Sequence, residues 1–169
     1  MAVLWSDAYQ KKKLERVRLT QQIATLKAQQ QTIVTLNGSF DLLHAGHLQI
    51  IFEASQLGDI LIVALNSDQS IQQYKNPKGP IICLEYRLQM MAALEFVNFV
   101  IAFEETNPCV LLSQIQPDIH VNGSEYGENC IEAETVRSYG GKIHIVQLIP
   151  GLSTTTIIQK IQQRNSLCV

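Results

Sequence analysis

No stretch of this chain approaches the ~20 consecutive apolar residues that a membrane-spanning helix needs. The start, Met1-Ala2-Val3-Leu4-Trp5, is too short for a signal-peptide core and runs into Asp7. The cytoplasm is therefore the expected compartment, with no membrane partner. Charge of one sign is missing too. Lysine and arginine total 13 against 15 aspartate and glutamate, a formal net charge of -2. That balance supplies no basic field for sustained nucleic-acid binding. Lys11-Lys12-Lys13 is the one dense basic run, and it reads as a solvated helix start. Cysteine is scarce. Cys83, Cys109, Cys130 and Cys168 have no paired metal-ligand spacing, so free thiols are expected and no protein metal site. The Cys168-Val169 ending does not fit a prenylation box. Internal repeats and low-complexity tracts are also absent.

What is present is a globular pattern. Hydrophobic residues make up 46% of the chain, which argues against disorder, and 169 residues suffice for one layered core. Short, β-branched, nearly continuous apolar runs mark strands at 32–36, 59–66, 99–103, 119–122 and 142–148. Helical periodicity marks 46–57, 84–94, 108–115, 131–139 and 154–163, with a further short helix at 69–74. Residues 74–80 form a loop by their turn chemistry. Alternating strands and helices predict an α/β fold: a Rossmann-like parallel sheet of five strands with helices on both faces, in a single domain. Residues 1–31 read as a helical extension packed loosely before the core, with Leu14, Val17, Ile23 and Leu26 as its apolar positions. Residues 164–169 read as a tail.

The informative segment lies between the first strand and the next helix. It runs Asn37-Gly38-Ser39-Phe40-Asp41 and, after Leu42-Leu43, His44-Ala45-Gly46-His47. Two of the chain's 4 histidines stand at one helix start. Unpaired N–H groups and the positive dipole end there suit a phosphate, and Gly46 lets backbone approach closely. A metal pair or two solvated histidines are the plainer readings of the same residues. In a doubly wound sheet, ligands bind outside the carboxyl ends of the strands. Residues 37–41, 66–68, 122–126 and 148–155 each follow a strand, so four strand ends converge on one crevice.

Several motifs in order carry a family resemblance: Asn37-Gly38-Ser39-Phe40-Asp41, His44-Ala45-Gly46-His47, Leu57-Gly58-Asp59, Val63-Ala64-Leu65-Asn66-Ser67-Asp68, Leu84-Glu85-Tyr86-Arg87 and Gly151-Leu152-Ser153-Thr154-Thr155. Together they resemble the H-x-G-H nucleotidyltransferase superfamily over roughly residues 32–161, and within it the heptose 1-phosphate adenylyltransferases. The resemblance makes 32–163 the nucleotidyltransferase domain. It implies transfer of AMP from ATP to a sugar 1-phosphate, heptose 1-phosphate being the expected acceptor. Pyrophosphate leaves, and the ADP-sugar would serve lipopolysaccharide core synthesis. It implies Mg²⁺ carried by the ATP phosphates, with no dedicated protein cage. A sugar kinase fused to this activity in some relatives is absent here, so a separate kinase would act upstream. Relatives commonly dimerise, which makes a homodimer an open expectation. A cytidylyltransferase acting on glycerol 3-phosphate or another alcohol phosphate is the alternative enzyme. A nucleotide-binding regulatory module is the non-enzyme alternative.

Roles follow from the resemblance residue by residue. His44 and His47 would meet the triphosphate, with Lys75 as a mobile loop cation, Lys78 as its rival, and Arg87 as a phosphate contact. Asn37, Gly38, Ser39, Phe40 and Gly46 would cradle the nucleotide at one helix start, and Gly151, Ser153, Thr154 and Thr155 at the other. Phe40 reads equally as a core plug, and Ser153 also as an ordinary N-cap. Asp41, Asp68, Asn122, Gly123 and Glu125 would lie toward the acceptor. Asp41 reads first as a turn or cap residue, and Asp68 equally as the N-cap of 69–74. Two departures stand out. Relatives place a lysine where Asn122 stands and an arginine where Gly79 stands. Ala45, and the lack of an arginine in Leu148-Ile149-Pro150-Gly151, depart from the cytidylyl branch and favour the adenylyl one.

Overall fold

A computed structural model describes residues 4–74 and 77–165. Five strands, β1 (Ile33–Gly38), β2 (Ile60–Asn66), β3 (Phe99–Phe103), β4 (Ile119–Gly123) and β5 (Lys142–Val146), form one sheet in the order β3-β2-β1-β4-β5. Every pairing is parallel. The chain winds outward from β1 to β3, then returns to place β4 on the other side of β1. The order reverses between β1 and β4, and the crevice opens there, beyond Gly38 and Gly123.

Period-two side-chain direction splits the core in two. Val34, Leu36, Val63, Leu65 and Val121 face α3 (Ala45–Ser55) and α5 (Leu84–Ala92), meeting Ile51, Ala54, Leu88 and Met91. Ile33, Ile60, Ile62, Ile101 and Phe103 face the other way, onto α2 (Leu19–Ala28) and α6 (Cys109–Ile115). All seven residues of β2 are buried, as a strand covered on both faces requires. The remaining helices are α1 (Trp5–Ala8), α4 (Asp68–Tyr74), α7 (Ala133–Ser138) and α8 (Thr154–Asn165).

Two expectations need correction. Residues 4–31 do not sit loosely before the core. Tyr9, Leu14, Leu19 and Ile23 are each at most 4% exposed. Leu14 N–H donates to the Val100 carbonyl at 2.8 Å, so the extension runs along β3 and covers that sheet edge. Val17, by contrast, is 88% exposed. The fifth strand also stops at Val146, short of 148. Leu148 and Ile149 instead enter the loop that walls the crevice.

One buried polar pair ties β1 to β4. Thr35 Oγ1 and His120 Nδ1 lie 2.8 Å apart, opposite each other in register. His120 is fully buried, its Nε2 has no partner among the described residues, and burial pushes its pKa down to about 3. The unfolded chain, with an ordinary imidazole near 6.5, therefore takes up the proton first. Stability should be complete above about pH 6.5 and fall by roughly 1.4 kcal/mol per pH unit below it. Urea unfolding at pH 7.5 and pH 5 measures this. Glu85 and Glu105, whose pKa values are lowered from 4.5, stay ionised across that window. His120→Asn should flatten the loss; an equally steep loss in that variant would place its origin elsewhere.

Candidate active site

The loop after β1 is built on a close approach. A side chain on Gly38 would meet Phe40 Cε2 and Cζ at 3.0 Å. Phe40 itself adopts φ 46, a left-handed conformation that costs a bulky residue on the order of 1–3 kcal/mol. Its ring is 6% exposed, and it meets the His47 ring edge-on at 5.3 Å. Phe40 is thus both a plug beneath the loop and a brace behind His47.

His44 caps α3. Its backbone is extended, and its Nδ1 accepts the His47 N–H at 3.4 Å. A ring that accepts at Nδ1 carries its neutral-form hydrogen on Nε2. Burial lowers the His44 pKa, which favours that neutral form. The His44 and His47 rings stack, with centroids 3.8 Å apart and planes 17° from parallel. Gly46 admits this packing, because a Cβ there would lie 3.2 Å from His44 Cε1 and Nδ1. The same Cβ would lie 3.7 Å from the Leu152 carbonyl, which brings the start of α3 against the start of α8.

At α8, Ser153 Oγ accepts the Thr156 N–H at 3.1 Å, an N-cap, while Thr154 and Thr155 line the crevice. Two helix N-termini thus converge. The cavity between them measures about 450 Å³, and its lining includes Asn37, His44, His47, Asn122, Glu125 and Thr155. Asn37 Oδ1 is buried there without a hydrogen-bond partner among the described residues. Ser39, Gly151 and Gly123 take different positions. Ser39 lines the cavity and Ser39 Oγ lies 3.4 Å from Tyr74 Oη. Gly151 turns with φ +73 just before Leu152. Gly123 leaves room for the Glu125 carboxyl to fold back over it.

Three expected site residues have other work in this structure. Arg87 is fully buried and does not line the cavity. Its Nε donates to the Ile82 carbonyl at 2.9 Å, Nη1 to the Ser39 carbonyl at 2.6 Å and Nη2 to the Asn66 carbonyl at 2.9 Å. Nη2 also pairs with Asp68 Oδ1 at 2.6 Å. In this structure the guanidinium clamps three loops. Asp68 does not line the cavity: it holds Arg87 and the Leu84 N–H, and Ser67 Oγ, not Asp68, caps α4 through the Ser70 N–H. Asp41 accepts the Ile81 and Ile82 N–H groups at 2.8 and 2.7 Å, pinning the loop that brings Gly79 and Pro80 to the cavity. Lys75 lies outside the described residues. Tyr126, Leu148 and Ile149 also line the crevice, as does Ile158, which the sequence reading missed. The strand-end rule pointed at the first three.

A doubly wound sheet with stacked imidazoles and two helix N-termini at its switch point is the architecture of an enzyme that handles a polyphosphate. A family model described as cytidylyltransferase-like matches residues 35–165. The chain belongs to this family of H-x-G-H nucleotidyltransferases, and it is a nucleotidyltransferase.

Individual relatives agree. The bifunctional protein HldE of Trichlorobacter lovleyi is 42% identical over 147 residues, covering 86% of this chain and 30% of that protein. HldE of Syntrophotalea carbinolica is 42% identical over 135 residues, covering 79% and 28%. The chain thus spans less than a third of the length of these curated relatives. The lipopolysaccharide core biosynthesis protein of Thermoplasma volcanium superposes with a TM-score of 0.57 at 30% identity, covering 70% of this chain and 97% of that one. A pantoate-beta-alanine ligase from Francisella tularensis, at 17% identity and TM-score 0.54 over 83% and 70%, shares the fold alone. Among the described residues no helix is long and apolar enough to cross a membrane.

Proposed function

We propose that the chain transfers AMP from ATP to a sugar 1-phosphate, heptose 1-phosphate being the acceptor, to give an ADP-sugar and pyrophosphate. The observation that carries the reading is the convergence of α3 and α8 around the stacked His44 and His47 in one cavity. The likeness to HldE proteins and to a lipopolysaccharide core biosynthesis protein supports the sugar product.

In this mechanism an anionic oxygen of the acceptor phosphate attacks the α-phosphorus in line. The new P–O bond forms as the bond to pyrophosphate breaks. The nucleophile is already ionised near neutral pH, so the site needs no general base. It needs donors aimed where charge develops. His44 Nε2–H is such a donor, held by the bond its Nδ1 accepts from the His47 N–H. His47 and the first N–H groups of α8 complete the set. Mg²⁺ would ride on the triphosphate oxygens and water, with Glu125 as the nearby carboxyl not committed to backbone donors as Asp41 is, and would neutralise charge on the leaving group.

Pyrophosphate release with each of the four ribonucleoside triphosphates, against heptose 1-phosphate and glycerol 3-phosphate, tests the proposal. ATP with heptose 1-phosphate should give the highest kcat/KM. The cytidylyltransferase reading draws on the family's description, and a clear CTP preference would establish it instead. No turnover with any pair would leave a nucleotide-binding module.

A further inference from the structure

Glu132 stands just before α7 and is 6% exposed. Burying a carboxyl costs free energy unless hydrogen bonds or a cation offset it. No lysine or arginine among the described residues pairs with this one. Its side-chain neighbours are an amide and a thiol. Asn122 Nδ2 donates to Glu132 Oε2 at 3.5 Å, and burial, together with this carboxyl, raises the pKa of the nearby Cys130 thiol. An amide at that distance and a thiol offset less of this cost than a cation would. The carboxyl is therefore only partly compensated, yet it touches a residue of the cavity wall.

The contact fixes the amide. Because the Glu132 oxygen accepts, Asn122 turns its NH₂ toward Glu132 and its Oδ1 away. Asn122 is itself only 5% exposed and lines the cavity at the carboxyl end of β4. Gly123 pairs in register with Val146 of β5, and the Ser124 N–H donates to the Val146 carbonyl at 2.9 Å. The ends of β4 and β5 thus form one wall, continued by Tyr126, Leu148, Ile149 and Leu152. The end toward Pro80 carries Ser39 and Asp41, whose carboxyl accepts the Ile81 and Ile82 N–H groups. The β4–β5 wall is mostly apolar, with Asn122 and the Glu125 carboxyl over Gly123 as its polar groups, which suits a planar base read by hydrogen bonds, whereas a polyhydroxylated sugar suits the polar end.

We infer that Asn122, held in one orientation by Glu132, reads the donor's base by accepting a hydrogen bond from the 6-amino group of a purine. This deepens the adenylyltransferase proposal and rests on it. Asn122 is the specificity residue, and Glu132 is a positioning residue acting through it. Without Glu132 the amide can turn over and offer its NH₂, which meets a 6-oxo purine equally well. The position where relatives carry a cation here offers an oriented acceptor.

Calorimetric titration with Mg²⁺-ATP and Mg²⁺-ITP isolates the 6-amino group and needs no acceptor sugar. The wild-type chain should bind ATP about 3- to 10-fold more tightly than ITP, the worth of one such hydrogen bond. Asn122→Ala should bring the two affinities together. Glu132→Leu should do so as well, at some cost in melting temperature because the Asn122 NH₂ loses its acceptor. Glu132→Gln keeps an acceptor oxygen and should restore part of the preference. If Glu132→Leu folds and keeps the wild-type ATP:ITP ratio, or if Asn122→Ala keeps it, the inference is overturned while ATP binding itself leaves the adenylyltransferase reading standing. Should the wild-type chain bind neither nucleotide, that reading falls and takes the inference with it.

Discussion

Replacing His47 with alanine is expected to lower kcat by on the order of 10²–10³ and to change ATP affinity only a few-fold. The reason is geometric. His47 is held between the Phe40 edge and the stacked His44 ring at the start of α3, so its orientation is set before substrate arrives. A donor positioned in advance gains most when negative charge grows on phosphorus. His44→Ala should match this loss and also lower stability by about 1 kcal/mol, because it removes the cap of α3. His44→Asn separates the two roles. Asparagine is a good N-cap, so the melting temperature should recover while the rate does not. Acidification should act through His44 as well. Its pKa is lowered by burial, so the neutral ring persists through pH 7, and activity should decline only as pH falls below 6.5 toward that lowered value. Single-turnover pyrophosphate release on the three variants checks all of this. Retention of more than about half of the wild-type rate in His47→Ala would remove the imidazole from the chemistry.

Local pattern carried most of the scaffold. The run of β2 is apolar throughout because both faces are covered, and nothing distant is needed to read it. The H-x-G-H turn was legible for the same reason: strand, glycine, helix start and two imidazoles are neighbours in the chain. What the sequence hid depends on contacts across long separations. Tyr9 looked like part of a polar leader, but it bonds Glu85 and enters the main core. Residue 148 looked like strand because Leu148 and Ile149 are apolar, but the ladder ends at the pairing of Gly123 with Val146. The weak pairing of Asn122 and Glu132 joins two residues ten positions apart across a turn, with no periodicity to announce it. Arg87 is the sharpest case. A cation in the first turn of a helix is unfavourable for the dipole, which by itself marks a job other than helix stability. Only the fold reveals that the job is to collect carbonyls from residues 39, 66 and 82.

Arg87→Met is therefore expected to destabilise the fold by about 3–5 kcal/mol, chiefly from carbonyls left without a donor at roughly 1–3 kcal/mol each. The volume is roughly kept, so a cavity is not the cause. Three carbonyl groups lose their donors, and Asp68, whose side chain is 37% exposed, keeps only the Leu84 N–H and what water can reach it. Lysine is no remedy. One ammonium cannot span the Ile82, Ser39 and Asn66 carbonyls that a planar fork reaches together, so Arg87→Lys should recover only a minor part of the loss. Asp68→Asn combined with Arg87→Met should cost less than the sum of the two single changes, because the pair acts as a unit. Urea unfolding of the four proteins measures these terms. Activity then separates the clamp from a phosphate contact. The Ser39 carbonyl belongs to the loop that carries Phe40, so loosening it should disturb both ATP affinity and kcat in step with the stability loss. A phosphate contact would behave otherwise: kcat/KM would collapse in Arg87→Met while the unfolding midpoint stayed near that of the wild type. That second pattern would require the guanidinium to leave its carbonyls when the triphosphate binds, and would return Arg87 to the reacting groups.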